Sequence, residues 1–273
     1  MSAPARASGF EPASHRSITE PPPVNGSSPT VDIDPSNNPG GAKSLAGISL
    51  RAFLLGVTLG TGLCLTVVAH AVVGTPLWRV PFFLAALSLF HFLEYFVTAR
   101  HNPPQANISA FLLSSNGWQY NVAHGSALAE CLLAWLFPDA SYNHYFTRTA
   151  VAVQVTLGLA LMALGQTVRT LAMAHAGRNF NHTVQVQRRA GHTLTTTGVY
   201  RVLRHPSYFG FFWWGLGTQL VLGNVVCLLA YAVVLWVFFS RRIQREEKYL
   251  ILFFGDEYVE YRRRTWVGIP GIR

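Results

Sequence analysis

Charge is scarce in this chain. Of its 273 residues, 12% are Asp, Glu, Lys or Arg, against about 25% in soluble globular domains. The scarcity is concentrated, because no charged residue occurs over 52–78 or over 205–240. Runs of roughly 20 apolar residues span a bilayer core. The deficit therefore excludes a soluble fold and marks a multi-pass membrane protein. Cysteine is scarce too. Cys64, Cys131 and Cys227 lie in apolar stretches with no C-x-x-C spacing, which argues against a thiolate metal centre. They read as small, reduced packing residues. Acidic residues form the third deficit, 12 against 21 Lys and Arg, for a formal net charge of +9. Nucleic acid could be a partner for such a balance, but the basic residues sit in loops between apolar runs. That is the positive-inside pattern, and no nucleic-acid partner is expected.

Residues 1–43 are rich in Pro, Ser, Asn and Gly around "EPPPVNGSSP". They lack the apolar content that offsets ordering entropy and read as a disordered cytosolic tail. The first apolar run starts near Leu45, too late for a signal peptide. Six apolar segments follow, at about 45–73, 77–98, 119–137, 146–176, 206–222 and 225–239. The expected fold is an all-α integral membrane protein with about six transmembrane helices, four of them within 44–177. Region 178–273 would then hold a polar cytosolic loop, a C-terminal helical hairpin and a charged helix over about 240–264. Only Gly223 and Asn224 separate the hairpin arms. Each arm is short for an upright span, so the hairpin is expected to tilt or to be shielded. Gly56 and Gly60 form a G-x-x-x-G pair that reads as close helix packing, and Gly177 reads as a helix stop. A cytosolic N-terminus puts Arg100, the 178–205 loop and residues 241–264 on the same side, leaving Arg79 and Arg148 outside.

His91, Glu94, His124 and Glu130 interrupt the apolar segments. Such residues are costly in lipid and must face the bundle or an interface. A proton relay could use them, but hydrogen bonding within the bundle is sufficient. The halves show no internal repeat, which weakens a transporter reading.

The densest polar stretch is "RNFNHTVQVQRRAGHTLTTTGVYRVLRHPSY", 178–208, with five arginines and no acid up to residue 205. It reads either as a basic loop on anionic lipid or as a site for a carboxylate-bearing, hydrogen-bonding ligand. His182, His192 and His205 lie ten and thirteen residues apart without supporting acids or cysteines, so no metal is expected. Pro206 suits the first position of a helix, whose unpaired N–H groups attract anions; Ser207 and Tyr208 add hydroxyls there. A second cluster, 238–264, places Arg242 and Glu246 four apart on one helix face. They read either as a surface ion pair or as a carboxylate fork on Arg242, with the hairpin returning it towards His205. "GLG" at 215–217 lies in an apolar run with no strand before it and reads as helix packing.

These residues carry a resemblance. "NFNHTVQ" (179–185), "HTLTTTGVY" (192–200), "RHPSYFG" (204–210), "GTQL" (217–220), "RRIQREEKYLILFFGDEYVEY" (241–261) and "GIP" (268–270) together resemble the isoprenylcysteine carboxyl methyltransferases. "EYFVTARHNP" (94–103) and "FLLSSNGWQY" (111–120) look like the same family's middle region. The likeness covers about 90–273, and six segments resemble the fungal rather than the animal members. It implies methyl transfer from S-adenosylmethionine to the C-terminal carboxylate of a farnesylated or geranylgeranylated cysteine, in the endoplasmic reticulum membrane. Transferred residue by residue, it implies donor contacts at Gln185, His192, Thr193, Leu194, Thr195, Tyr200, His205, Pro206, Ser207, Tyr208 and Glu246. Arg242 would hold the substrate carboxylate, with Glu246 beside it in the catalytic pair. Phe209, Phe212, Trp213 and Phe238 are candidates for the lipid path. Rival readings are a sterol-type membrane reductase, a phospholipid amine methyltransferase or a non-enzymatic transporter.

Overall fold

The computed structural model describes residues 34–140, 146–188 and 191–273. Among them are seven α-helices: α1 (Leu45–Val67), α2 (Arg79–His101), α3 (Trp118–Leu136), α4 (Arg148–Ala176), α5 (Pro206–Leu222), α6 (Val226–Phe254) and α7 (Asp256–Arg264). Local chemistry sets their ends. The Ser44 and Thr147 side chains accept from the Gly47 and Ala150 amides and open α1 and α4. Pro206 occupies the first turn of α5, where its missing N–H is not needed. Gly223 closes α5 at φ +74°, and Gly255 separates α6 from α7 at φ +56°, conformations that glycine adopts without strain.

Among the described residues, four helical stretches are long and apolar enough to cross a membrane: 45–72, 76–101, 148–179 and 226–254. Helix α5, with 17 residues, is shorter but lies inside the bundle, packed by α2, α3, α4 and α6. Its closest neighbour is α4. A Cβ on Gly165 would sit 2.5 Å from the Gly210 carbonyl oxygen, and one on Gly158 would sit 2.8 Å from the Gly217 carbonyl oxygen. The two antiparallel backbones therefore touch at two glycine pairs one heptad apart, the small-residue packing expected where no water drives association. Gly215 faces Leu235 of α6, so the "GLG" glycines serve helix packing on two sides.

Several polar groups inside the bundle are paired. The Glu130 carboxylate accepts from the amides of Val225, Val226 and Cys227 at 2.8, 2.9 and 2.7 Å. A side chain of α3 thus caps α6, offsetting the unpaired donors and favourable dipole of that end. Replacing Glu130 with leucine orphans these donors and is expected to cost roughly 1–3 kcal/mol. Thermal unfolding in detergent measures the loss, and Glu130→Gln should lose less. His91 bonds the Phe111 carbonyl at 2.8 Å and the Tyr120 hydroxyl at 3.0 Å; His124 bonds the Tyr231 hydroxyl at 2.7 Å. Glu94 makes a two-pronged pair with Arg169, at 2.5 and 2.7 Å.

Four sequence-based expectations are corrected. The charged helix over 240–264 is not separate: α6 runs unbroken to Phe254, because arginine, glutamine and glutamate favour helix, and the break falls at Gly255. Cβ atoms on Gly56 and Gly60 would meet nothing within 4 Å, whereas one on Gly62 would lie 2.8 Å from the Pro81 carbonyl oxygen and 3.0 Å from the Ala85 Cβ. Helix α1 therefore packs through a different glycine. Cys64 is exposed, while Cys131 and Cys227 are buried as expected. The tail boundary moves as well. Over 35–43 the chain is structured, with Lys43 N–H bonding the Ser36 carbonyl and the Ala42 carbonyl accepting from Ile108 at 2.9 and 2.8 Å. Residues 1–33 of the expected tail lie outside the described residues.

Candidate active site

Helix α6 has 29 residues and is roughly 43 Å long at 1.5 Å per residue, well beyond the roughly 30 Å bilayer core. The charges that begin at Arg241 therefore ride on the rigid end of a helix whose other end is apolar. This end faces the first turn of α5. Arg242 Nε donates to the Tyr208 hydroxyl at 2.8 Å, and that hydroxyl donates to Glu246 Oε2 at 2.6 Å. The direct ion pair between Arg242 and Glu246 offered by their spacing is replaced by a relay through a phenol. Arg242 Nη2 also donates to the His182 carbonyl, tying the polar loop to α6. Its guanidinium lies over the rings of Tyr208 and Phe238 at 5.2 and 5.8 Å. Described residues use two of the five N–H donors of arginine, and Nη1 with the second Nη2 proton forms an end-on fork without a partner among them.

Beside the relay lies a cavity of about 110 Å³. His192, Thr193, Leu194 and Thr195 supply its outer wall, and Tyr200, His205, Pro206, Ser207, Tyr208 and Glu246 also line it. Ten of the eleven positions expected to touch a donor thus converge from three segments. Gln185 does not line the cavity; its amide bonds the Thr183 carbonyl at 3.2 Å. The three histidines point to different partners: His182 to Glu94, His205 to Glu246 and Glu247, and His192 to Phe253 and Phe254. Of the four lipid-path aromatics, Phe209, Trp213 and Phe212 are in ring contact in series, at 6.3 and 5.3 Å, and Phe238 meets Phe239 at 5.1 Å. Phe212 belongs to the buried cluster with Phe239 and Ile243, Trp213 donates to the Gly268 carbonyl, and Phe238 is exposed.

Two supporting groups escape the sequence reading. Glu247 pairs with Arg204 at 2.7 Å, with His205 at 3.3 Å and with Arg262 at 3.3 Å. Phe239, Ile243 and Glu247 are all buried at four-residue spacing, so a charge continuing an apolar stripe was the available signal. Arg169, the partner of Glu94, also donates Nη1 to the Ser207 carbonyl and hydroxyl at 3.2 and 2.8 Å. Phe90 and Phe211 cover its guanidinium at 5.4 and 5.5 Å. A lone arginine within 149–176, with no acid on its own segment, had signalled a partner elsewhere.

A family model described as isoprenylcysteine carboxyl methyltransferase matches residues 157–252. The protein-S-isoprenylcysteine O-methyltransferase of Saccharomyces cerevisiae is 50% identical over 191 residues, 70% of this chain and 79% of that one. This chain belongs to the isoprenylcysteine carboxyl methyltransferase family. The human protein-S-isoprenylcysteine O-methyltransferase is 39% identical over 228 residues, covering 83% of this chain and 75% of its own. A solved structure of a eukaryotic intramembrane Ras methyltransferase of this family superimposes with a TM-score of 0.73 at 34% identity, over 83% of this chain and 77% of that one. The matched region of the family model contains the whole span from the α4 glycines to Glu247, and so the glycine pairs, Arg169 with its Ser207 bonds, and the relay.

The loop that closes the cavity holds a titration-sensitive group. Burial pushes the His182 imidazole down to about 4, against the opposing pull of Glu94 and with help from Arg169 and Arg242. Its folded value lies below the unfolded 6.5, so the neutral ring's contribution is complete above 6.5 and is lost as pH falls towards 4. Folding stability is expected to drop across that window, and His182→Gln to flatten the drop. Thermal unfolding in detergent as a function of pH reads both.

Proposed function

We propose that this chain transfers a methyl group from S-adenosylmethionine to the C-terminal carboxylate of a prenylated cysteine at the cytosolic face of the endoplasmic reticulum membrane. Six membrane-crossing segments would bring both termini and the 178–205 loop to the cytosol. The observation that carries the proposal is the Arg242–Tyr208–Glu246 relay, set where a membrane-length apolar helix acquires charge and where a polar cavity opens.

The cavity's chemistry fits the donor. Thr193, Thr195, Ser207 and Asn179 offer hydroxyl and amide partners, Tyr200 and Phe254 offer aromatic faces, and Glu246 is the one carboxylate among the lining residues. The Tyr258 hydroxyl, on the same wall, is buried without a hydrogen-bond partner among the described residues. Burial raises the pKa of this phenol and of Tyr200, so both remain protonated donors. S-adenosylmethionine, when bound, supplies an activated methyl on a positively charged sulfonium. His192, Thr193, Leu194, Thr195, Tyr200 and residues 205–208 would hold it, with Glu246 as the counter-charge.

The acceptor needs orientation more than activation. A terminal carboxylate has a pKa of about 3.5, so it arrives ionised and no general base is required. The free fork of Arg242 binds one edge of the carboxylate and directs the other oxygen into the cavity. Tyr208 fixes the guanidinium, and the packed aromatics around it exclude water, freeing the attacking oxygen from hydration. Opposite charges cancel as the ester forms, which a dry boundary favours over water.

Incubating membranes that contain the protein with labelled S-adenosylmethionine and a farnesylated cysteine analogue tests this. Base-labile label in the analogue is expected, and none in an analogue without the prenyl group. Retained donor binding without base-labile product would overturn the reading.

A further inference from the structure

A second cavity among the described residues, about 830 Å³, lies away from the relay, between the end of α7 and the C-terminal tail. Arg262, Arg263, Trp266, Ile269, Ile272 and Arg273 line it. Tyr208, Arg242 and Glu246 do not, because the packed cluster of Phe212, Phe239, Ile243, Val267 and Ile269 stands between. Arg204 borders both cavities, but it is committed to Glu247 and to the Thr265 carbonyl.

This groove changes polarity along its length. The tail is pinned to the bundle where Trp213 donates to the Gly268 carbonyl at 3.2 Å and Trp236 donates to the Pro270 carbonyl at 2.8 Å. Trp213 stands seven residues into α5 from Pro206, roughly 10 Å from its charged end at 1.5 Å per residue. Trp236 precedes the first α6 charge, Arg241. Ile269 and Ile272 thus sit at the depth of apolar helix surface, while Arg262 and Arg263 end α7 on the polar side. No Asp or Glu is among the lining residues. At the rim Trp266 is 75% exposed yet held by its backbone: its amide donates to the Val202 carbonyl at 3.0 Å and its carbonyl accepts from the Arg204 amide at 2.9 Å. An indole so fixed, between apolar surface and arginines, suits the headgroup level of a bilayer.

We propose that this groove binds an anionic phospholipid of the cytosolic leaflet. Arg263 and Arg273 take the phosphate and acidic headgroup through forked hydrogen bonds, Trp266 packs at the glycerol level, and the acyl chains lie along Ile269 and Ile272. The leaflet follows from the orientation proposed above. The arginine-lined wall repels a basic peptide, and a free phosphate would leave the apolar floor uncovered. Arg262 is partly engaged by Glu247 at 3.3 Å and acts as background charge, whereas the contact of Arg263 with Glu260, 3.7 Å and fully at the surface, is of the weak kind that a phosphate displaces.

The purified full chain in neutral-detergent micelles provides the test, with Trp266 fluorescence quenched by brominated phosphatidylserine or brominated phosphatidylcholine. The signal assigned to the groove is the part that Trp266→Phe removes. Quenching by the serine lipid should saturate and be roughly 30-fold tighter than by the choline lipid, as two arginines at a membrane surface imply. The double variant Arg263→Gln, Arg273→Gln should erase the difference while methyl transfer to a soluble farnesylated cysteine analogue persists. High salt on the wild-type chain should shrink the difference as well, a reading independent of how the variant folds. Equal quenching by both lipids, an unaffected double variant, or displacement by glycerophosphoserine alone would each overturn the proposal. Displacement by a farnesylated peptide would overturn it too, by assigning the groove to the substrate. A failed methyl-transfer reading with the lipid preference intact would leave this site standing.

Discussion

Replacing Arg242 with alanine is expected to cut ester formation by roughly 30- to 5000-fold while weakening donor binding by no more than about tenfold. The first range follows from the roughly 2–5 kcal/mol lost when one partner of a desolvated charge pair is removed, converted to a rate. The second follows from the Nη2 bond to the His182 carbonyl, worth about 1 kcal/mol, because Tyr208, which also loses a bond from Nε, stays held by Glu246. Arg242→Lys keeps the charge but loses the fork and the donation from Nε to Tyr208, so it should recover only part of the rate. Tyr208→Phe removes the relay without removing the charge and should fall between the two. Single-turnover rates beside equilibrium donor binding separate these effects. If alanine at 242 costs binding and rate equally, Arg242 is a clamp on the loop and not the carboxylate's partner.

Arg169→Met is expected to be the most destabilising single change in the bundle. It leaves the Glu94 carboxylate, 1% exposed, without its counter-charge, which costs about 3–5 kcal/mol. Native proteins have about 5–15 kcal/mol in total, so poor recovery of folded protein should result. The double variant Glu94→Gln, Arg169→Met removes both charges and should regain much of the loss, because the two sites are coupled. The restored protein should still show weak donor binding, since Ser207 at the start of α5 loses the two bonds that Arg169 makes to it. Melting temperature and donor affinity, measured on the three variants, distinguish a fold defect from misplacement of Ser207. Additive single and double losses would show that the two charges act independently, against the geometry.

The helices were legible because absent charge over 52–78 and 205–240 is a direct consequence of burial away from water, whether in lipid or inside the bundle. Their ends were less so. Residues 240–246 change polarity without changing helix propensity, so the end of the apolar run and the end of the helix separate: the first falls at Ser240 and the second at Gly255. Gly56 and Gly60 had the right spacing for packing and no partner among the described residues, whereas Gly165 and Gly210 meet across α4 and α5. Spacing along one helix says nothing about which helix arrives. The site's loop residues were readable because contiguous motifs carry them and their polar chemistry contrasts with the bundle. Gln185 sits at the end of such a motif, beyond the point where the loop turns away from the cavity. Arg169 and Glu94 lie 75 residues apart in sequence, and their pairing exists only in the packed bundle. The phenol between Arg242 and Glu246 was likewise hidden, since Tyr208 belongs to another helix.

The central claim is that the boundary between the polar cavity and the membrane helices joins a water-soluble methyl donor to a prenylated carboxylate. Mass spectrometry on two farnesylated peptides, one ending in a free carboxyl and one in an amide, tests it most directly. Incubated with the reconstituted protein and S-adenosylmethionine, the carboxyl peptide should gain one methyl group, lost again in mild base, and the amide peptide none. Methylation of both peptides, or a base-stable product on either, would contradict it.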